Sequence, residues 1–243
     1  MSQLFNRYEF KYPLPDYMTE SILPTLLQYG MELDPSVQKH GNHFYTVNSL
    51  YFDSPLRDDY YDKAGGFLNR KKIRIRVYED ILTQKTDEIW LEKKLKRDMH
   101  VAKKRICIPF EHYKELLKGS RAHMLALYKD SRYGAELLED IIRQNMRPHV
   151  AVQYKRVPLI VPGSSDLRIT LDSDIKACFS SDLCYSPAMT WVYPGTTVIE
   201  VKFSTLIPSW LKSLITRCGL QRASFSKYTN SVEALRTYNP LPR

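Results

Sequence analysis

Lys71-Lys-Ile-Arg-Ile-Arg-Val-Tyr-Glu79 alternates without a break, with Ile73, Ile75 and Val77 on one face and Lys72, Arg74, Arg76 and Tyr78 on the other. A period of two is that of a β-strand, whose successive side chains point to opposite faces. Residues 88–96 and 100–108 follow in the same style, joined around Arg97-Asp98, and read with it as an antiparallel meander. Upstream, Arg7, Glu9 and Lys11 alternate with Tyr8, Phe10 and Tyr12 until Pro13 and Pro15, which are expected to stop the strand, and residues 43–52 form a further candidate. Downstream, residues 147–161, 167–172 and 197–203 resume the pattern, the first two separated by Pro162-Gly-Ser-Ser165.

Helical spacing marks the rest. Residues 110–145 place Leu116/Leu117, Leu125, Leu137/Leu138 and Ile141/Ile142 as an insertion of two or three helical pieces. Residues 16–29, which Pro24 should kink or break, 56–63, 208–217 and 227–238 read as further helices, and 180–195 as a loop. The predicted class is α+β: an antiparallel eight-stranded β-barrel with helices packed outside and a helical insertion around 110–145.

The 243 residues read as one domain, 43% hydrophobic, with no apolar run near the ~20 residues that span a bilayer. The opening Met-Ser-Gln-Leu-Phe-Asn-Arg lacks a secretory pattern, so a cytoplasmic location is expected. Cys107, Cys178, Cys184 and Cys218 form no metal-spaced pair and read as reduced thiols. Thirty-six Lys and Arg against 27 Asp and Glu leave +9, which calls for an anionic partner. Nucleic acid is disfavoured: Tyr8, Tyr12, Tyr51, Tyr60 and Tyr61 fall at core or wall positions rather than along an exposed basic stripe.

Strand after strand carries its charges on one face: Glu9/Lys11, Arg74/Arg76, Glu92/Lys94/Lys96, Lys103/Arg105, Tyr154/Arg156, Arg168/Asp172 and Glu200/Lys202. On a one-sided sheet this would be the solvated face. Here the opposite face is apolar enough to need helices over it, which turns the charges inward. Enclosed cations are unfavourable by several kcal/mol each unless an anion neutralises them. A phosphate chain fits, since the Arg fork pairs with phosphate oxygens and Lys adds point charge. The glutamates then act as salt-bridge partners or as ligands for Mg²⁺ or Mn²⁺; Glu200, on a strand whose other face is Ile199, Val201 and Phe203, is the strongest metal candidate.

Eight segments in order carry a resemblance: Arg7-Tyr-Glu-Phe-Lys-Tyr12, Asn48-Ser-Leu-Tyr-Phe-Asp53, Lys72-Ile-Arg-Ile-Arg-Val-Tyr78, Leu91-Glu-Lys-Lys-Leu-Lys96, Val152-Gln-Tyr-Lys-Arg156, Arg168-Ile-Thr-Leu-Asp172, Val198-Ile-Glu-Val-Lys202 and Ser226-Lys-Tyr228. They resemble the VTC domain, the polyphosphate polymerase domain of the vacuolar transporter chaperone complex, among the triphosphate tunnel metalloenzymes. The related CYTH branch begins Glu-x-Glu-x-Lys; this chain has Arg7-x-Glu9-x-Lys11. The resemblance implies γ-phosphoryl transfer from ATP to a growing polyphosphate with a divalent metal, Mn²⁺ preferred or Mg²⁺. It assigns Lys11, Lys94, Lys96, Lys103, Arg105, Lys202, Ser226 and Lys227 to phosphate binding, Glu200 to the metal, and Glu9, Glu92 and Tyr154 to support. Eukaryotic members carry a His where this chain has Lys96. No SPX domain or membrane anchor is recognised in the sequence, so a membrane-protein partner would be needed for translocation.

Phosphoryl transfer asks a protein mainly for positioning and charge stabilisation. Arg74, Arg76, Arg156 and Arg168 are the catalytic candidates, stabilising the equatorial oxygens while an anionic polyphosphate end attacks without a general base. Two alternatives use the same residues: a tripolyphosphatase or nucleoside triphosphatase with water as acceptor, and a polyphosphate-binding module without turnover.

Overall fold

The computed structural model describes residues 7–98, 100–185 and 188–238, so the opening residues 1–6 read above lie outside it. The described strands are β1 (Arg7–Pro15), β2 (Glu32–Leu33), β3 (Tyr45–Asp53), β4 (Asn69–Val77), β5 (Trp90–Arg97), β6 (His100–Cys107), β7 (Arg147–Ile160), β8 (Leu167–Phe179), β9 (Thr190–Trp191) and β10 (Thr196–Phe203). All pairings between them are antiparallel, in the order β2-β7-β3-β4-β5-β6-β1-β10-β8-β9, and an additional β7–β8 pairing closes eight of them into a ring. Closure removes the open edges that a flat sheet would expose. Among the described residues, the narrowest seam of the ring is β6–β1, where Arg7↔Val101 and Tyr8↔His100 are paired.

Helices α1 (Thr19–Gln28) and α6 (Ser209–Arg217) cover one outer side, burying Ile22, Leu26, Leu211 and Leu214 against Ile169, Leu171, Ile199 and Val201. The predicted insertion is three helices, α3 (Phe110–Lys118), α4 (Arg121–Leu127) and α5 (Gly134–Arg143), which cover Leu50, Ile73, Ile75 and Leu91 on the other side. The outer apolar face is thus covered, as the alternation required.

One helix is not external. α7 (Lys227–Tyr238) packs Tyr228, Val232 and Leu235 against Val47, Val150, Val152 and Val198. Those valines share a face with the charged residues: Val152 stands opposite Ser49, which stands opposite Arg76. The inner surface therefore has an apolar sector filled by α7 and a charged sector left lined by side chains. α2 (Asp58–Ala64) lies between α7 and β4.

Local corrections have physical reasons. β1 runs through Pro13 and Pro15 instead of stopping there. The Lys11 carbonyl accepts from the Ala223 N–H (2.9 Å), so alternate residues of β1 turn their backbone groups away from β10 and the prolines give up no ladder bond. β8 continues to Phe179 rather than ending at Asp172: Asp172 and Ser173 stay paired with Arg156 and Lys155, and the strand passes through a bulge at Asp174-Ile175, with Asp174 at φ 54° and a register shift against β7. The 180–195 segment contains β9. Pro24 lies within α1, which a 3-10 turn at Asp16–Met18 precedes, and does not break it.

Candidate functional site

The inward faces of β1, β4, β5, β6, β7, β8 and β10 bring most of the expected residues into three linked clusters. In the first, β1 and β10 pair Glu9 with Lys202 and Lys11 with Glu200 across the ladder. Lys94 Nζ donates to both oxygens of Glu9 (2.7 and 2.8 Å), Lys11 lies 3.2 Å from Glu9 and 3.5 Å from Glu200, and Lys202 lies 2.5 Å from Glu200. Burial pushes both carboxyls up, but Lys94, Lys11 and Lys202 outweigh it and hold Glu9 and Glu200 well below the ordinary range. Burial pulls Lys94 down to about 8 even beside Glu9, whereas Lys11, against the same burial, is held high by Glu9 and Glu200.

Glu92 organises the second cluster. Arg74 Nε donates to it at 2.9 Å, Lys103 pairs with it, and Arg76 lies 3.9 Å away. Arg74 Nη1 also donates to Tyr51 Oη (3.0 Å), and Arg76 Nη2 to Tyr154 Oη (3.1 Å). Glu92, against burial, is kept ionised by Arg74, Arg76 and Lys103; burial pulls Lys103 down to about 7.

The third cluster is centred on Asp172, fully enclosed, which accepts from Arg156 Nε (2.6 Å) and Nη2 (2.7 Å) and from Lys227 at the start of α7. The two parallel bonds fix the guanidinium plane. Lys227 also lies 4.5 Å over the Tyr154 ring, so Tyr154 joins the second and third clusters.

Three expected residues stand apart, and a fourth, Ser226, serves the start of α7 at the edge of the clusters. Arg168 is bound to Asp34 (2.8 Å) with over a third of its side chain open. Lys96 lines a surface depression with Arg70, Lys71 and Arg97 at the far end of β5. Arg105 is exposed and stacked on Trp90. Ser226 bonds the N–H and hydroxyl of Thr229 and caps α7. Sequence reasoning gave no role to Lys72 or Tyr51, and none to Asp172 although it placed Asp172 on the inward charged face. Lys72 donates to Thr229 Oγ1 (3.1 Å), and burial pulls it down to about 7 despite Asp59 and Asp53. Its position in the alternation was the signal, since it shares the face of Arg74 and Arg76.

Two ionised carboxylates on adjacent strands, Glu9 and Glu200, suit a divalent cation that takes its remaining oxygens from phosphates and water. Among the described residues no group of three or more His, Cys, Asp or Glu forms a protein-only cation cage, and no helix is long and apolar enough to cross a membrane.

A closed antiparallel ring, cation-lined within and partly plugged by a helix, is the triphosphate tunnel class of fold. The chain belongs to the VTC domain family, whose profile matches residues 6–236. Its fold is similar to that of a Hippeastrum protein classed as an adenylyl cyclase and found to have a dominant triphosphatase activity, at 17% identity and TM-score 0.52 over 94% of this chain and 96% of that one. It is also similar to a Pyrococcus horikoshii protein (13%, TM-score 0.50, 93% and 98% covered) and to a Vibrio parahaemolyticus protein classed as an adenylate cyclase (13%, TM-score 0.50, 96% and 100% covered).

Proposed function

We propose that the ring binds the phosphate chain of a nucleoside triphosphate and transfers its γ-phosphoryl group to the end of an inorganic polyphosphate. One observation carries this reading: the three clusters set eight inward cations (Lys11, Arg74, Arg76, Lys94, Lys103, Arg156, Lys202, Lys227) against four carboxylates (Glu9, Glu92, Asp172, Glu200), while Lys72 beside them faces the buried Asp53 and Asp59. Such a surplus, largely removed from solvent, costs free energy that an anion bound among the cations offsets. Membership of the VTC domain family supports the choice of polyphosphate.

A terminal polyphosphate oxygen attacks the γ-phosphorus in line, the bond to the β,γ-bridging oxygen breaks, and the nucleoside diphosphate leaves with that electron pair. Arg74, Arg76 and Arg156 stay put through this step, their planes fixed by Glu92, Tyr51, Tyr154 and Asp172. Donors held in advance need no reorganisation as charge shifts among the phosphoryl oxygens. The nucleophile is already anionic, so no base is required. Glu200 and Glu9 would hold a divalent ion, Mn²⁺ or Mg²⁺, whose chemistry is charge neutralisation between phosphate oxygens.

The test is the purified chain with ATP, Mn²⁺ and a short polyphosphate primer. Chain lengthening with one diphosphate formed per phosphate added is expected. Phosphate release without lengthening would replace transfer by hydrolysis, the reading favoured by the triphosphatase activity of the Hippeastrum protein. Retention of polyphosphate with no turnover in either assay would leave a binding module.

A further inference from the structure

The two ends of the charged sector differ in chemistry. β4, β5 and β6 fix the order of residues along it: Arg70↔Lys96 at one end, then Lys72↔Lys94↔Lys103, Arg74↔Glu92↔Arg105 and Arg76↔Trp90↔Cys107 at the other. The first end is basic, with Arg70, Lys71, Lys96 and Arg97 around one depression.

The second end is aromatic. Arg105 lies over Trp90, its guanidinium carbon 4.0 Å from the ring centroid, with Arg105 exposed and Trp90 half-buried. The indole N–H donates to Glu88 (3.2 Å), fixing the ring. On the next two strands, Tyr78 comes two residues after Arg76, on the same face, and meets the buried Tyr45 edge to face at 5.4 Å. Tyr45, Tyr78, Trp90 and Arg105 thus form an arc over four consecutive strands at this end, with Trp90 paired with Arg76, Arg105 in line with Arg74, and Tyr78 one step beyond Arg76. Polyphosphate has no planar or apolar part to use such an arc. A nucleobase does, since every base offers a π-face to aromatic rings and to Arg.

We propose that this arc is a nucleobase subsite: the base of a nucleoside triphosphate extends the Arg105–Trp90 stack, its phosphates run inward to Arg76 and Arg74, and the basic end is left for the phosphate chain. This rests on the tunnel reading above and adds a direction to it. Trp90 and Lys94 are four residues apart, about 13 Å along the strand, room for a triphosphate between the arc and the lysines. It also changes the expectation for Arg105, which recognises the base and not a phosphate.

Titration calorimetry with ATP and, separately, with inorganic tripolyphosphate tests the proposal. Trp90→Ala and Arg105→Ala should each weaken ATP by roughly tenfold, the scale of one lost base stack, and leave tripolyphosphate within about twofold; Trp90→Phe should keep most of the ATP affinity. Equal weakening of both ligands, or no weakening of ATP, overturns the subsite while the tunnel reading stands. A wild-type chain that binds neither ligand overturns both. Arg105 is exposed, so its variant keeps the test decisive if Trp90→Ala fails to fold.

Discussion

Asp172 carries no exposed surface and answers two cations, Arg156 and Lys227. Asp172→Asn would leave both buried without a counter-charge, at a cost of about 3–5 kcal/mol, read as a lower denaturation midpoint; tripolyphosphate should restore part of the loss by supplying the missing anion. Arg143→Gln, which removes a largely exposed partner of Asp140, should cost less than about 1 kcal/mol.

The lysines set the pH behaviour. Burial takes Lys72 and Lys103 down to about 7 and Lys94 to about 8 from an ordinary 10.5. Between those values and 10.5 the unfolded chain holds more protons than the folded one, so stability rises with pH through that window, and the penalty is full below pH 7. A bound phosphate chain favours the charged lysines and reverses the balance. Scanning calorimetry should give a higher melting temperature at pH 9 than at pH 7 without ligand, and a larger upward shift from tripolyphosphate at pH 7 than at pH 9.

At the scale of elements, α7 is both plug and wall: Leu235 and Val232 fill the apolar sector of the ring while Lys227 and Ser226 stand at its charged boundary. Leu235→Ala should destabilise by about 2–5 kcal/mol in chemical unfolding and should also weaken tripolyphosphate, because Lys227 loses its placement. A helix that only roofed the outside would give the first effect without the second. The strands were legible because Ile73, Ile75 and Val77 alternate with Lys72, Arg74 and Arg76, and the inward turn of the charges followed from the need to cover those isoleucines. The place of α7 was not legible: Tyr228, Val232 and Leu235 show one apolar stripe whether it meets the outer or the inner face. Nor was the reach of β8, since Asp172-Ser173-Asp174 has the composition of a turn and only pairing with β7 carries the strand on through a bulge at Asp174-Ile175. Among site residues, same-strand neighbours such as Glu9 and Lys11 could be grouped from strand parity. The ties of Arg168 to Asp34 and of Arg105 to Trp90 depend on side-chain reach at strand ends, which alternation does not specify.

For the whole molecule, the ring separates two environments. Its outer surface is sealed by α1 and α6 on one side and α3–α5 on the other, and its inner surface concentrates more positive charge than its carboxylates offset. The net +9 of the chain is thereby partly focused where field lines are least screened. That focusing is the central claim, and calorimetric titration of inorganic tripolyphosphate into the wild-type chain and into Lys103→Met tests it most directly. The account expects saturable one-to-one binding in the wild type, weakened by about tenfold or more when this charge-assisted contact is lost. No saturable binding, or the same affinity in the variant, would contradict it.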